Sequence, residues 1–326
     1  MNLDKAAWKV VSPPPVLPIP TADALLAGWR GASRVVLVEA LEGGLMNWNY
    51  KIRLSGSPEQ FVLRFYDRDP SACAREARIL SLVRGDVPVP QVMFGAADGA
   101  AGFPPFCVLE FIEGISLREL RRNGDAGDVA AASYDAGRLL PLLARHQFNR
   151  SGMLSPECAV TDGPFAGAGV VDVIEHFVAT PLFQQRVDAS LAARLLAFAR
   201  RNEDGFGKRA EGATLVHGDF NSPNILVRAD HGTWRVAAIL DWEFAFAGSM
   251  LCDVGNMLRY ERPGHPRYEP HFSRGLIDAG WDAGDDWLLF ARLADLPALC
   301  ELLGRDDVPD AVVEELLGLI RETTAG

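Results

Sequence analysis

The apolar pattern of the chain changes character once, near Gly114, and that change restricts the architectures open to it. From Arg34 to about Ile112, short runs alternate with turn residues. Val35–Val38, Asn49–Leu54 and Phe61–Phe65 read as strands, separated by Gly43-Gly44 and by Ser55-Gly56-Ser57-Pro58. One helix interrupts them, because Asp69-Pro70 supplies an N-cap and an N1 proline and helical spacing holds to about Arg84. Strands resume at Gln91–Gly95 and Phe106–Ile112. Beyond Gly114 helical patterns dominate, over about 126–147, 170–178, 182–203, 250–260, 283–303 and 309–322. One β island remains between Ala213 and Asp241. The expected class is α+β, a small antiparallel sheet lobe with one helix followed by a larger, mainly helical lobe. The expected divisions are an N-terminal extension over 1–32, a β-rich lobe over 33–112 and a helical lobe over 113–326.

Composition narrows the partners. Apolar residues make up 48% and charged residues 23% of 326, the balance of a soluble globular protein. The 43 acidic residues outnumber the 32 basic ones, for a net charge of −11. Such a surface repels phosphate backbones and anionic lipid, so neither nucleic acid nor membrane is expected as a partner. Cys73, Cys107, Cys158, Cys252 and Cys300 are dispersed and odd in number, which reads as reduced thiols rather than a disulfide framework or zinc site. The apolar stretch Trp287–Leu303 is broken by Arg292, Asp295 and Glu301, too polar to span a bilayer. The N-terminus lacks a signal-peptide core, so a cytoplasmic location is expected.

The sharpest motif is Leu215-Val216-His217-Gly218-Asp219-Phe220-Asn221-Ser222-Pro223-Asn224-Ile225-Leu226-Val227, a polar loop between two β runs. Asp219 and Asn224 have the spacing of a kinase catalytic loop. The following strand, Trp234–Leu240, ends in Asp241-Trp242-Glu243. A hairpin turn centred between Gly232 and Thr233 sets Asn224 opposite Asp241, with Cβ atoms roughly 5 Å apart. An amide oxygen and a carboxylate converging on one point suit Mg²⁺, which takes oxygen ligands and keeps positions for phosphate and water. Asp219, at the other end of the loop, is placed to accept a proton from an attacking hydroxyl. A lone Asp-x-x-x-x-Asn ordinarily marks turn chemistry. Here it is joined to His-Gly, flanked by strands and followed by a second Asp.

Together, His-Gly-Asp-x-x-x-x-Asn and Ile239-Leu240-Asp241-Trp242-Glu243 strongly resemble the aminoglycoside phosphotransferase family. Its relatives, by resemblance, include choline kinases, homoserine kinases and other small-molecule kinases on a protein-kinase-like, two-lobed fold. The similarity runs from about Val38 to Tyr260. It implies that Asp219 is the catalytic base, that Asn224 and Asp241 hold magnesium, and that ATP is the donor. It also implies that His217 and Asp253 support the catalytic loop.

The amino-terminal lobe is read in the same frame. Glu42-Gly43-Gly44-Leu45-Met46-Asn47 looks like the family's loop over the ATP phosphates, which assigns Gly43, Gly44 and Asn47 to the nucleotide. Arg64, on the third strand, matches a position that contacts donor phosphates, a task suited to guanidinium. At about 100° per residue, Glu76 falls within the apolar arc of Cys73, Ala77, Leu80 and Val83, so it needs a partner, and Arg64 is the natural one. The segment Phe106–Gly114 fits the lobe junction that binds adenine through its backbone, with Glu110 and Phe111 as the expected contacts. Asp172, Glu175, Glu243 and Glu261 are the expected acceptor-side carboxylates, fitting an aminoglycoside or a choline-like cation.

The function expected is ATP- and Mg²⁺-dependent transfer of the γ-phosphoryl group to a hydroxyl of a small molecule, whether aminoglycoside-like, amino alcohol, sugar or amino acid. Two alternatives stay open: a catalytically silent nucleotide-binding regulator and a metal-dependent phosphohydrolase.

Overall fold

A computed structural model describes residues 14–41, 47–209, 212–261, 266–282 and 284–325. The chain enters through two short helices, α1 (Ile19–Leu25) and α2 (Ala27–Arg30). Strands β1 (Val35–Ala40), β2 (Trp48–Leu54) and β3 (Gln60–Phe65) follow, then helix α3 (Ala72–Val83) and strands β4 (Val92–Ala96) and β5 (Phe106–Glu110). These five strands form one sheet in the order β1-β2-β3-β5-β4, every neighbouring pair antiparallel.

The two faces of this sheet bury different partners. On one, Leu17, Ala22, Leu25 and Leu26 cluster with Ile52, Leu63 and Phe65. Leu17, α1 and Leu26 therefore pack against this sheet. Asp23 anchors them, accepting from the Val35 amide and pairing with Arg30 and Arg34. The other face meets α3, whose Cys73, Ile79, Leu80 and Val83 share a cluster with Ile225, Val227 and Ile239 of the later hairpin. One apolar core thus runs from α3 into the rest of the chain, fixing the helix that carries Glu76 against the segment that carries Asp241.

Beyond β5, β6 (Ile115–Ser116) leads into α4 (Leu117–Asn123) and α5 (Ala126–Leu143). The Ser116 hydroxyl caps α4 by accepting from the Glu119 amide at 3.1 Å. Then come β7 (Gln147–Phe148), β8 (Gly152–Met153), α6 (Val170–Val178), α7 (Pro181–Arg186) and α8 (Ala189–Arg209). The single helix expected over 182–203 is two, because the chain turns extended at Val187 (φ −114°, ψ 121°). Strand β9 (Ala213–Val216) precedes the catalytic-loop motif, and β10 (Ile225–Asp230) and β11 (Thr233–Ile239) form the hairpin after it. A 3₁₀ turn at Trp242–Phe244, β12 (Phe246–Gly248) and helices α9 (Leu251–Leu258), α10 (His271–Asp278), α11 (Trp287–Leu303) and α12 (Asp310–Thr323) complete the chain.

Small sheets hold the motif at both ends. β9 lies between β7 and β12, while β10 lies between β11 and β6. Gly114 lets β6 approach β10, since a Cβ there would sit 2.9 Å from the Val227 carbonyl oxygen. A second apolar cluster joins α6, α7, α8, α11 and α12 away from this motif. No helix among the described residues is long and apolar enough to cross a membrane.

Candidate active site

The loop between β9 and β10 takes its shape from Gly218 and the buried side chains of Asp253 and His217. Gly218 adopts φ +81°, and a Cβ on it would come within 2.4 Å of the Phe244 carbonyl oxygen, so both conformation and space demand glycine. Asp253, in the first turn of α9, accepts from the His217 amide at 2.7 Å and the Gly218 amide at 3.0 Å. His217 Nδ1 accepts from the Asp219 amide at 3.1 Å, which assigns the ring proton to Nε2, where it donates to the Leu240 carbonyl at 2.8 Å. The buried imidazole packs on Trp242 with ring centroids 4.5 Å apart. His217 therefore ties the start of the loop to the residue preceding Asp241.

The Asp219 carboxylate is held on both oxygens. Asn221 Nδ2 donates to Oδ1 at 2.5 Å and Asn224 Nδ2 to Oδ2 at 2.8 Å. Asn221 is in turn braced by Asn256 of α9, at 3.1 Å. Both bracing residues escaped the sequence reading, although Asn221 lies two positions from Asp219. Asn256 carries no local signal of its own.

The hairpin register differs from expectation by one residue. The turn is the two-residue His231-Gly232, both with positive φ, so Asp230 pairs with Thr233. That turn displaces the pairing by two positions, and a register shift between Leu226 and Val227 returns it by one. Asn224 consequently faces Leu240, whose amide donates to its carbonyl at 2.9 Å, and Asp241 is the next residue along. Asp241 itself sits in the left-handed region at φ 62°, ψ 61°.

Arg64 is buried amid three carboxylates. Its Nε lies 3.2 Å from Glu76 and its Nη2 lies 3.4 Å from Glu243, while Nη1 bonds Asp241. The pair between Arg64 and Glu76 is thus present, and Glu76 is further held by the Tyr66 hydroxyl at 2.7 Å and the Trp242 amide at 3.1 Å. Burial pushes the Glu243 carboxyl up to about 7, opposed mainly by Arg64. Three acids around one guanidinium leave this corner negative.

The remaining predicted residues are distributed unevenly. Asn47 joins the cluster by donating to Glu243 at 2.9 Å, across 196 positions of sequence. Glu243 therefore faces Arg64 and Asn47, contrary to its expected place on the acceptor side. Gly43 and Gly44 lie outside the described residues. The Glu110 amide bonds Gln91 and the Phe111 amide bonds Gln60, so the sheet already occupies both donors. Asp172 accepts from the Gly169 amide at the start of its own helix, and Glu175 pairs with Arg200. Glu261 is matched by Arg121 at 3.2 Å and Arg267 at 3.6 Å. The carboxylates expected to offer bare negative charge are engaged, because counting acids along a chain does not reveal the cations that fold against them.

A five-stranded lobe bearing an Arg–Glu pair, joined to a helical lobe bearing an Asp–Asn–Asp module, defines a two-lobed, kinase-like fold. The chain belongs to the phosphotransferase enzyme family designated APH, whose model matches residues 38–287. Among solved structures it resembles a thermostable aminoglycoside phosphotransferase APH(4)-Ia in ternary complex with AMP-PNP and hygromycin B. That likeness has a TM-score of 0.68 at 19% identity, covering 94% of this chain and 98% of the other. A GDP complex of aminoglycoside 2'-phosphotransferase-IIIa is similar, with a TM-score of 0.67, 17% identity, and 94% and 98% coverage. Among curated proteins, the mouse acyl-CoA dehydrogenase family member 10 is 28% identical over 302 residues. That match takes in 83% of this chain and 26% of the mouse protein, so the chain spans about a quarter of that relative.

Proposed function

We propose that the chain transfers the γ-phosphoryl group of ATP to a small-molecule hydroxyl, with Asp219 as base and Asn224 and Asp241 as the protein ligands of Mg²⁺. The observation that carries this reading is the direct linkage of these residues. Asn224 holds Asp219 by its amide nitrogen, and Leu240, next to Asp241, bonds both Asn224 and His217.

The residues fit a hard divalent cation. Asn224 commits its Nδ2 to Asp219, and Asp241 commits one carboxylate oxygen to Arg64. Asn224 keeps its one amide oxygen and Asp241 its second carboxylate oxygen, in a corner where acids exceed bases. Among the described residues no cluster of three or more His, Cys, Asp or Glu side chains is suited to a metal. Two oxygen ligands completed by phosphate and water are the ordinary arrangement for Mg²⁺, and two-metal hydrolysis gains no support. When bound, the ion offsets charge on the donor phosphates.

Asp219 accepts the proton of the acceptor hydroxyl as its oxygen bonds to the γ-phosphorus; the bond from that phosphorus to the bridging oxygen breaks, and ADP leaves. Asn221 and Asn224 fix the carboxylate so that little reorientation precedes the step. Arg64 joins α3 to Asp241 and presents positive charge beside the ligand pair. The adenine edge would use the carbonyls of Glu110 and Phe111 and the backbone of 112–114, the amides of the first two being taken. The Gly43-Gly44 loop and Asn47 are proposed to close over the phosphates. Similar structures in complex with AMP-PNP or GDP support a nucleotide donor.

Calorimetric titration with AMP-PNP tests the assignment. Affinity is expected to fall about tenfold or more when EDTA replaces Mg²⁺, and Asp241→Asn is expected to abolish that difference. Equal affinity with and without the metal in the wild-type protein contradicts the ligand assignment.

A further inference from the structure

A cavity of about 510 Å³ lies between α9, α11 and the end of α12, within the size range of small-molecule pockets. Arg259 connects it to the catalytic loop. It lines the cavity and follows Asn256 by one helical turn, its amide donating to the Asn256 carbonyl at 3.4 Å. Asn256 in turn braces the Asn221–Asp219 contact.

The cavity's charge is of an unexpected kind. Asp295, its deepest carboxylate, is taken by Arg259 through two contacts of 2.8 and 2.6 Å. Glu261 is held by Arg121 and Arg267, and Glu269 by Arg267 at 2.9 Å. Glu322 is engaged as well. Arg292, an exposed lining residue on α11, has no ion-pair or hydrogen-bond partner among the described residues. Leu258, Leu288, Leu299 and Leu319 supply an apolar wall. A polycation entering here would find Asp295, Glu261 and Glu269 already paired with arginines. Displacing Arg259 would strand a buried charge, which is strongly unfavourable.

We propose that this cavity receives the phosphoryl acceptor, and that the acceptor is a hydroxyl compound with an apolar body and an anionic group that meets Arg292, not an amine-rich cation. The inference rests on the phosphotransferase reading above and names the substrate class of that site. Arg292 is then a specificity residue, acting through acceptor affinity rather than through the transferring atoms.

Matched acceptors test it. ADP release by the full chain with Mg²⁺ and ATP is measured for 6-hydroxyhexanoate, 1-hexanol, 6-amino-1-hexanol and kanamycin. The hydroxy acid is expected to exceed the amino alcohol in kcat/KM by about tenfold or more. Arg292→Glu is expected to reverse that order through KM, and Arg292→Lys to preserve it. A wild-type preference for the amines, or the same ranking in Arg292→Glu, overturns the proposal. So does the lack of both turnover and calorimetric binding of 6-hydroxyhexanoate. Asp219-dependent phosphorylation of kanamycin alone would reject this substrate class while leaving the phosphotransferase reading intact. ADP release indifferent to Asp219→Asn and to Mg²⁺ would reject the reading itself.

Discussion

Asp253 holds the backbone of His217 on one carboxylate oxygen and receives the amide of the next residue, Gly218, on the other, at 2.7 and 3.0 Å. Asparagine offers one oxygen and two donors in the same space, so Asp253→Asn sets a donor against a backbone N–H. The expected cost is about 1–3 kcal/mol of stability. Turnover is expected to fall by about 10²-fold from displacement of Asp219, with AMP-PNP affinity little changed. Chemical denaturation alongside steady-state kinetics checks both, and unaltered kcat would refute the positioning role.

The same carboxyl gives a pH signature. Burial pushes it up to about 7, against the pull of the His217 and Gly218 amides, from a usual value of 3.8. Between those limits the folded chain holds a proton that the unfolded chain has lost. The group's contribution is therefore full below 3.8 and fades as pH climbs to about 7. The Tm of the wild-type protein minus that of Asp253→Asn is expected to shrink across that interval. A difference independent of pH would contradict the assignment.

Arg64 compensates Glu76, Asp241 and Glu243 at once. Arg64→Ala leaves three acids facing one another and is expected to destabilise the fold by about 3–5 kcal/mol. Glu76→Gln removes one charge, keeps one oxygen to accept from the Trp242 amide and offers an NH2 that the Tyr66 hydroxyl can turn to accept from, so a smaller loss is expected, with weakened nucleotide binding. Urea unfolding of the two variants decides the order.

Gly218→Ala combines a left-handed conformation with a 2.4 Å approach to the Phe244 carbonyl. It is expected to abolish turnover and to cost more than about 1 kcal/mol. Calorimetric unfolding and ADP-release assays measure the two effects.

The candidate catalytic module was legible as a unit because its residues are compressed into short stretches of sequence. A strand, His217-Gly218-Asp219, Asn224 and a second strand ending in Asp241 carry their own spacing. Glu76 was legible for another reason: a carboxylate on an apolar helix face demands a partner, and Arg64 stood on the neighbouring strand. The hairpin register was not, since a two-residue turn and a bulge each shift pairing without changing which residues are apolar. Helices α4 and α10 were missed because seven or eight residues give too little period to detect. The acceptor side misled for an electrostatic reason. Glu243 and Glu261 look available in sequence, but their partners Asn47, Arg64 and Arg121 lie more than a hundred positions away.

The central claim is that Asp219 accepts the proton of the attacking hydroxyl. Comparing ADP release and AMP-PNP binding in the wild-type protein and in Asp219→Asn, with Mg²⁺ present, tests it most directly. The variant is expected to lose transfer by about 10³-fold or more while nucleotide affinity stays within about twofold. Undiminished turnover in Asp219→Asn would contradict it.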